Sequence, residues 1–201
     1  MATEPRRYVL RFTRTERTLH WINATCFFFL LATGLVLYLP ALSRVVARRE
    51  LIKTMHFWGG VAWISLLVLV AVLGNTRRLL QTARELETFT HDRFNVGQKI
   101  NAILSAAFAL LFLVSGLLLW FGERNTRFRF ASTVTLHDAL LYVSLVLLVG
   151  HLYLAIIHPA TRHALRGMTR GSVREEWARR HYPNWEAAPP EPLEGTTKAA
   201  G

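Results

Sequence analysis

Four stretches of this 201-residue chain contain no Asp, Glu, Lys or Arg: Thr18–Ser43, Thr54–Thr76, Ile100–Gly122 and Ala139–Thr161, of 26, 23, 23 and 23 residues. Crossing roughly 30 Å of hydrocarbon takes about 20 apolar residues at a helical rise of about 1.5 Å per residue. Inside hydrocarbon every backbone N–H and C=O needs an internal partner, which makes the helix the default span. The chain is therefore expected to be all-α, an integral membrane four-helix bundle with spans near 19–40, 54–74, 100–121 and 136–157. The first run is too long for the apolar region of a signal peptide and has no small-residue cleavage site, so it reads as a span.

The formal net charge is +11, yet 52% of the residues are hydrophobic. A basic nucleic-acid binder would spread its arginines over amphipathic elements, and a disordered basic tail would be poor in apolar residues. Here the charges are segregated, which points to membrane lipid rather than nucleic acid. Seventeen of the 24 basic residues fall before the first span, between the second and third, or after the fourth. By the positive-inside rule that side is cytoplasmic, with both termini on it. The expected organisation is a cytoplasmic segment 1–18, a membrane domain 19–158, an interfacial segment 159–185 and a disordered tail 186–201. The tail is rich in Pro, Ala, Gly and Glu and has little to bury. The sole cysteine, Cys26, lies within the first span and has no partner in its own chain.

Polar side chains inside a membrane are costly and mark function. Of eight histidines, four lie in or at the edge of the spans: His20, His56, His137 and His151. Topology assigns their depths, with His20 and His151 towards the inner face and His56 and His137 towards the outer. His137 and His151 are 14 residues apart, close to four turns of roughly 3.6 residues, so they share one face of the fourth span. An inner pair, His20 with His151, and an outer pair, His56 with His137, would thus stack across the bilayer. Two imidazoles from different helices at one depth are what a six-coordinate haem iron requires.

Gly34, Gly59, Gly60, Gly116 and Gly150 lie near the right depths to let a flat macrocycle approach the backbone, a use that competes with ordinary helix packing. His158 is the rival for the inner position, but it immediately precedes Pro159, where the helix should end. His91, His163 and His181 fall in polar, Arg-containing segments and read as solvated. Arg17 fits either a haem propionate or a lipid phosphate. The segment NVGQK reads as a helix start, with Asn95 as its cap, Gly97 in the first turn and Lys99 snorkelling. Arg44, Arg48 and Arg49 are candidates for meeting an acidic partner.

The elements RTERTLHW around His20, KTMHFWGG around His56, FNVGQKIN (94–101), LHDALLYVSLVLLVGHLYLAI (136–156) and WARRHYPNW (177–185) resemble a known family. They are similar to the cytochrome b, or gamma, subunit of membrane-bound respiratory formate dehydrogenases, within the di-haem cytochromes b of the b561 type. The likeness covers nearly the whole chain except the tail. It implies two haem b groups, with His56 and His137 as axial ligands of the outer and His20 and His151 of the inner. It also implies a quinone, menaquinone or ubiquinone, bound beside the inner haem by Asn95, Gly97 and Gln98. WARRHYPNW reads either as a surface closing over that inner site or as an interfacial anchor.

The resemblance further implies a bacterial inner-membrane subunit that receives electrons from an iron–sulfur (beta) subunit and passes them to quinone. Formate itself would be oxidised on a molybdenum- or tungsten-containing (alpha) catalytic subunit. The alternatives are a related cytochrome serving a hydrogenase or thiosulfate reductase, a stand-alone quinol-oxidising b561, and a transporter or anchor without haem.

Overall fold

The computed structural model describes residues 7–88, 90 and 92–185. The expectations for His91 and for the 186–201 tail fall outside the described residues. The elements in chain order are a short strand β1 (Tyr8–Leu10), then α1 (Arg14–Tyr38), α2 (Pro40–Val46), α3 (Arg49–Leu73), α4 (Thr76–Glu87), α5 (Val96–Gly122), α6 (Thr133–Leu152), α7 (Leu165–Arg170), β2 (Ser172–Arg174) and α8 (Glu175–His181). A π-helical turn, Tyr153–Ile157, extends α6, so four helices of 25 to 27 residues are long and apolar enough to cross a membrane.

Each of these helices begins upstream of its charge-free run, and α1 and α5 start where their first N–H groups find side-chain acceptors. For α1 the Thr13 hydroxyl accepts from Glu16 N–H at 3.3 Å while the Glu16 carboxylate accepts from Thr13 N–H at 2.8 Å. Asn95 and Gln98 do the same for α5, at 2.9 and 3.2 Å. Both are capping boxes, which satisfy two orphan donors reciprocally.

Within the bundle α1 packs on α3 and α5 on α6, with α3 and α5 joining the two pairs. Its outer surface is apolar: Leu73 is 76% exposed and Val146 72%. Its interior holds hydroxyls, with Thr33, Ser115, Thr133 and Ser144 all buried. That inversion suits a solvent of lipid tails, where apolar packing gives no advantage and interior polar contacts hold helices together.

The all-α expectation needs one correction. β1 and β2 form an antiparallel ribbon, pairing Tyr8 with Arg174, Val9 with Val173 and Leu10 with Ser172. Three-residue strands so far apart in sequence leave no periodic signal. Gly171 makes their junction possible: its φ of +84° closes α7 in the left-handed region that favours glycine. Its carbonyl then accepts from the N–H groups of Arg11 and Phe12, at 2.8 and 3.0 Å. Since β1 precedes the first long helix and β2 follows the last, both ends of the described chain meet at one end of the bundle.

A cap of buried charge covers that end. Arg11, Arg93 and Lys99 are each 1% exposed. Arg93 ion-pairs with Glu16 at 2.8 Å and Glu85 at 2.9 Å, and donates to the Arg11 carbonyl at 3.0 Å. The snorkelling expected of Lys99 is not what it does: its Nζ turns inward and donates to the Thr88 carbonyl at 2.8 Å. Trp177 and Trp185 pack on Val9, Val173 and Ala178, and Trp177 donates to the Ala160 carbonyl at 3.0 Å.

Candidate functional site

A cavity of about 720 Å³ lies in the bundle, bounded by His56, Phe57, Phe112, Gly116, His137 and others from all four long helices. That size lies within the roughly 300–1,000 Å³ usual for cofactor sites. The imidazoles of His56 and His137 face each other there with ring centroids 6.3 Å apart and planes inclined by 69°. Each ring is held from behind. Thr33 Oγ1 lies 2.8 Å from His56 Nδ1, and Ser115 Oγ lies 2.8 Å from His137 Nδ1. Gly34 and Gly116 leave space beside the rings: a Cβ at Gly34 would stand 3.3 Å from His56 Cε1, and one at Gly116 3.8 Å from His137 Cε1.

His20 and His151 form the second pair, with centroids 6.1 Å apart and planes inclined by 51°. Neither ring is hydrogen-bonded to another group among the described residues; His20 meets Trp21 edge-on, at 5.3 Å. The helix around His20 is held instead. Arg17 donates to the carbonyls of Met168 and Thr169, and Trp21 donates to that of Met168 at 3.1 Å. Arg17 therefore holds α7, a role for which neither expected partner, propionate or lipid phosphate, is needed. Beside His151, a Cβ on Gly150 would meet nothing within 4 Å.

His158 is turned away from this pair. It closes the π-helical turn, its Nδ1 3.2 Å from Thr161 Oγ1 and its ring against Tyr153. His163 is exposed, and His181 is exposed and stacked on Trp177 at 4.7 Å.

The family model for prokaryotic cytochrome b561 matches residues 11–171, from the end of β1 to the end of α7. The chain belongs to the prokaryotic cytochrome b561 family. It is 27% identical over 200 residues to the formate dehydrogenase cytochrome b556(fdo) subunit of Escherichia coli K12, covering 88% of this chain and 91% of that one. It is 23% identical to the nitrate-inducible formate dehydrogenase cytochrome b556(Fdn) subunit of the same organism, covering 88% and 89%. The formate dehydrogenase cytochrome b556 subunit of Haemophilus influenzae is 20% identical, covering 88% and 82%. This chain is thus a multi-pass, b561-type electron-transport cytochrome homologous to formate dehydrogenase cytochrome b subunits.

Membership implies haem b, and the geometry of this cytochrome fits it. Two imidazoles that bind one metal ion from opposite sides, each at the roughly 2 Å usual for a His nitrogen, bring their ring centres to about 6 Å apart. Both pairs meet that requirement, at 6.1 and 6.3 Å. The hydroxyl contacts also favour one tautomer. Thr33 Oγ1 lies 3.0 Å from the Phe29 carbonyl and Ser115 Oγ 2.6 Å from that of Leu111. A carbonyl only accepts, so a hydroxyl that donates there is set to accept from the ring. That arrangement suits an Nδ1–H on His56 and His137, the tautomer that leaves Nε2 with its lone pair for a metal.

The third group of expected site residues, Asn95, Gly97 and Gln98, sits at the start of α5 under the cap. Asn95 and Gln98 form the capping box, and Gln98 Nε2 donates to the Tyr182 hydroxyl at 3.1 Å. Arg11 lies against Gln98 Oε1 at 3.4 Å, its guanidinium 4.2 Å from the Tyr182 ring centre. Burial among these aromatic faces pulls the Arg11 pKa below its ordinary value. Sequence reasoning passed over Thr33, Ser115, Arg11, Arg93 and Tyr182. For the first two a signal existed: Thr33-Gly34 and Ser115-Gly116 are the same kind of dipeptide, hydroxyl then glycine, in two spans.

Proposed function

We propose that this cytochrome is the membrane subunit of a formate dehydrogenase complex in a bacterial inner membrane. It carries electrons from an iron–sulfur partner on the outer side to a quinone on the cytoplasmic side, where both termini lie. One observation carries the reading: two facing imidazole pairs at metal-bridging spacing, in a chain that aligns with formate dehydrogenase cytochrome subunits over most of their length. Two haem b groups, when bound, would supply one-electron redox centres at two depths.

His56 and His137 hold the outer group, and His20 and His151 the inner. His137 and His151 lie about 21 Å apart along α6, at about 1.5 Å per residue, which sets the two centres at different levels in the bilayer. Arg49 and Arg129 line the same cavity as the outer pair and would pair with the carboxylates of a haem bound there. At the cytoplasmic end Asn95 and Gln98 shape the first turn of α5, and the Gly97 N–H is one of its orphan donors. A quinone carbonyl is the acceptor we assign to it. Formate oxidation itself belongs to a molybdenum- or tungsten-containing catalytic subunit.

Purified with its partners, the chain should show b-type bands on dithionite reduction and two haems per chain by pyridine haemochrome. Mass spectrometry of the complex should find an iron–sulfur and a large molybdenum or tungsten subunit. A colourless but folded protein overturns the haem reading. Recovery with a hydrogenase large subunit moves the assignment to another respiratory complex.

A further inference from the structure

We propose that Thr33-Gly34 on α1 and Ser115-Gly116 on α5 are a matched pair of ligand-positioning devices, each acting on a histidine of the neighbouring helix and together setting the electronic character of the His56/His137 centre. The inference rests on those histidines binding haem iron, and goes beyond it by assigning work to residues that touch the imidazole and not the metal.

The argument is geometric. In each device the hydroxyl is anchored to its own helix by donating to a backbone carbonyl, Phe29 for Thr33 and Leu111 for Ser115. A donor-committed hydroxyl presents only lone pairs, so it receives the Nδ1–H of the ring, at 2.8 Å in both cases. The adjacent glycine lies beside Cε1: a Cβ at Gly34 would crowd it at 3.3 Å, and one at Gly116 would only touch it at 3.8 Å. The hydroxyls are almost inaccessible, Thr33 7% and Ser115 1% exposed, so lipid and bulk water do not compete for the contact.

Two consequences follow for the ring. Its rotation about Cβ–Cγ is fixed, because turning the imidazole breaks the bond to the hydroxyl. Its Nε2 becomes more electron-rich, since a partner that accepts from Nδ1–H raises the basicity of the ligating nitrogen. A more basic ligand favours oxidised iron, and second-shell hydrogen bonding of this kind tunes haem potential. Removing either acceptor should therefore raise the potential of the His56/His137 centre. The His20/His151 centre, whose rings lack such acceptors among the described residues, should not respond.

Thr33→Val and Ser115→Ala keep size nearly constant and delete the acceptor. In the haem-loaded complex each should retain two haems per chain, shift one of two potentials upward in a redox titration, and change the low-temperature electron paramagnetic resonance signal of that centre alone. Thr33→Ser and Ser115→Thr should return both readouts to the native values. The proposal is overturned if Val and Ala variants with full haem content titrate like the native protein, or if Thr33→Ser shifts as far as Thr33→Val. It is overturned equally if the other potential is the one that moves. A native protein without haem sinks the ligand assignment beneath it, which the haem count alone reports. Should Thr33→Val not assemble, Ser115→Ala, a loss of one oxygen, decides the matter.

Discussion

His56 and His137 meet across a cavity with each ring tied to a hydroxyl, whereas His20 and His151 meet at nearly the same spacing with their rings untied among the described residues. The first pair is positioned through the imidazoles themselves. The second is positioned through the helix that carries His20, which Arg17 and Trp21 fasten to the carbonyls of α7. Two imidazole pairs of nearly the same spacing are thus supported in two ways, and the difference follows surroundings. Around His56 and His137, at the cavity, a ring N–H has only neighbouring helices to satisfy it, and unsatisfied polar groups there are expensive. At the capped end, polar backbone and charged side chains are abundant, so support comes from the chain around the ligand.

The largest test of that contrast removes one ligand at a time. His137→Ala should cost one of two haems and leave the centre of the capped end intact, while His151→Ala should do the reverse. Haem content and redox titration of each variant read the result, and loss of both centres from either change would show that the pairs are not independent. His158→Ala should leave both haems in place; loss of one would make His158 rather than His151 the ligand.

Next in size is the cap. Arg93→Ala strands Glu16 and Glu85 without their buried partner, and breaking such a pair costs about 3–5 kcal/mol. Thermal unfolding in detergent should fall accordingly, and haem at His20/His151 should be lost on heating before haem at His56/His137. Simultaneous loss would mean that the cap stabilises the whole bundle rather than one end. The smallest effect belongs to Trp21→Phe, which deletes one hydrogen bond to Met168 worth about 0.5–1.5 kcal/mol. Its signature should be a slight broadening of the His20/His151 spectrum, with no change in haem number.

Much of the bundle was legible because the membrane imposes a crude rule. Charge cannot be left unpaired in hydrocarbon, so four charge-free runs announce four helices, and histidines among them stand out. The 14-residue spacing on α6 is likewise readable, since both residues ride one helix of known pitch. The cap was not legible. Arg93 reads as one more basic loop residue, and nothing near it in sequence indicates that Glu16, 77 residues away, receives its guanidinium. Lys99 misled for the same reason, and Arg17 showed only part of its work: a cation at a membrane edge looks like a lipid anchor until a carbonyl from a distant segment is placed beside it.

Thr33 and Ser115 mark the boundary between the two kinds of knowledge. Their hydroxyl-glycine pairing is written in the chain, but which histidine each meets depends on how α1 turns towards α3 and α5 towards α6. Segregation of charge, being a property of each segment against one solvent, decided the number of long apolar helices. Hydrogen bonds of fixed length between segments decided which rings are tied, which cations are buried and where the chain ends meet, because such contacts exist only once the helices have packed.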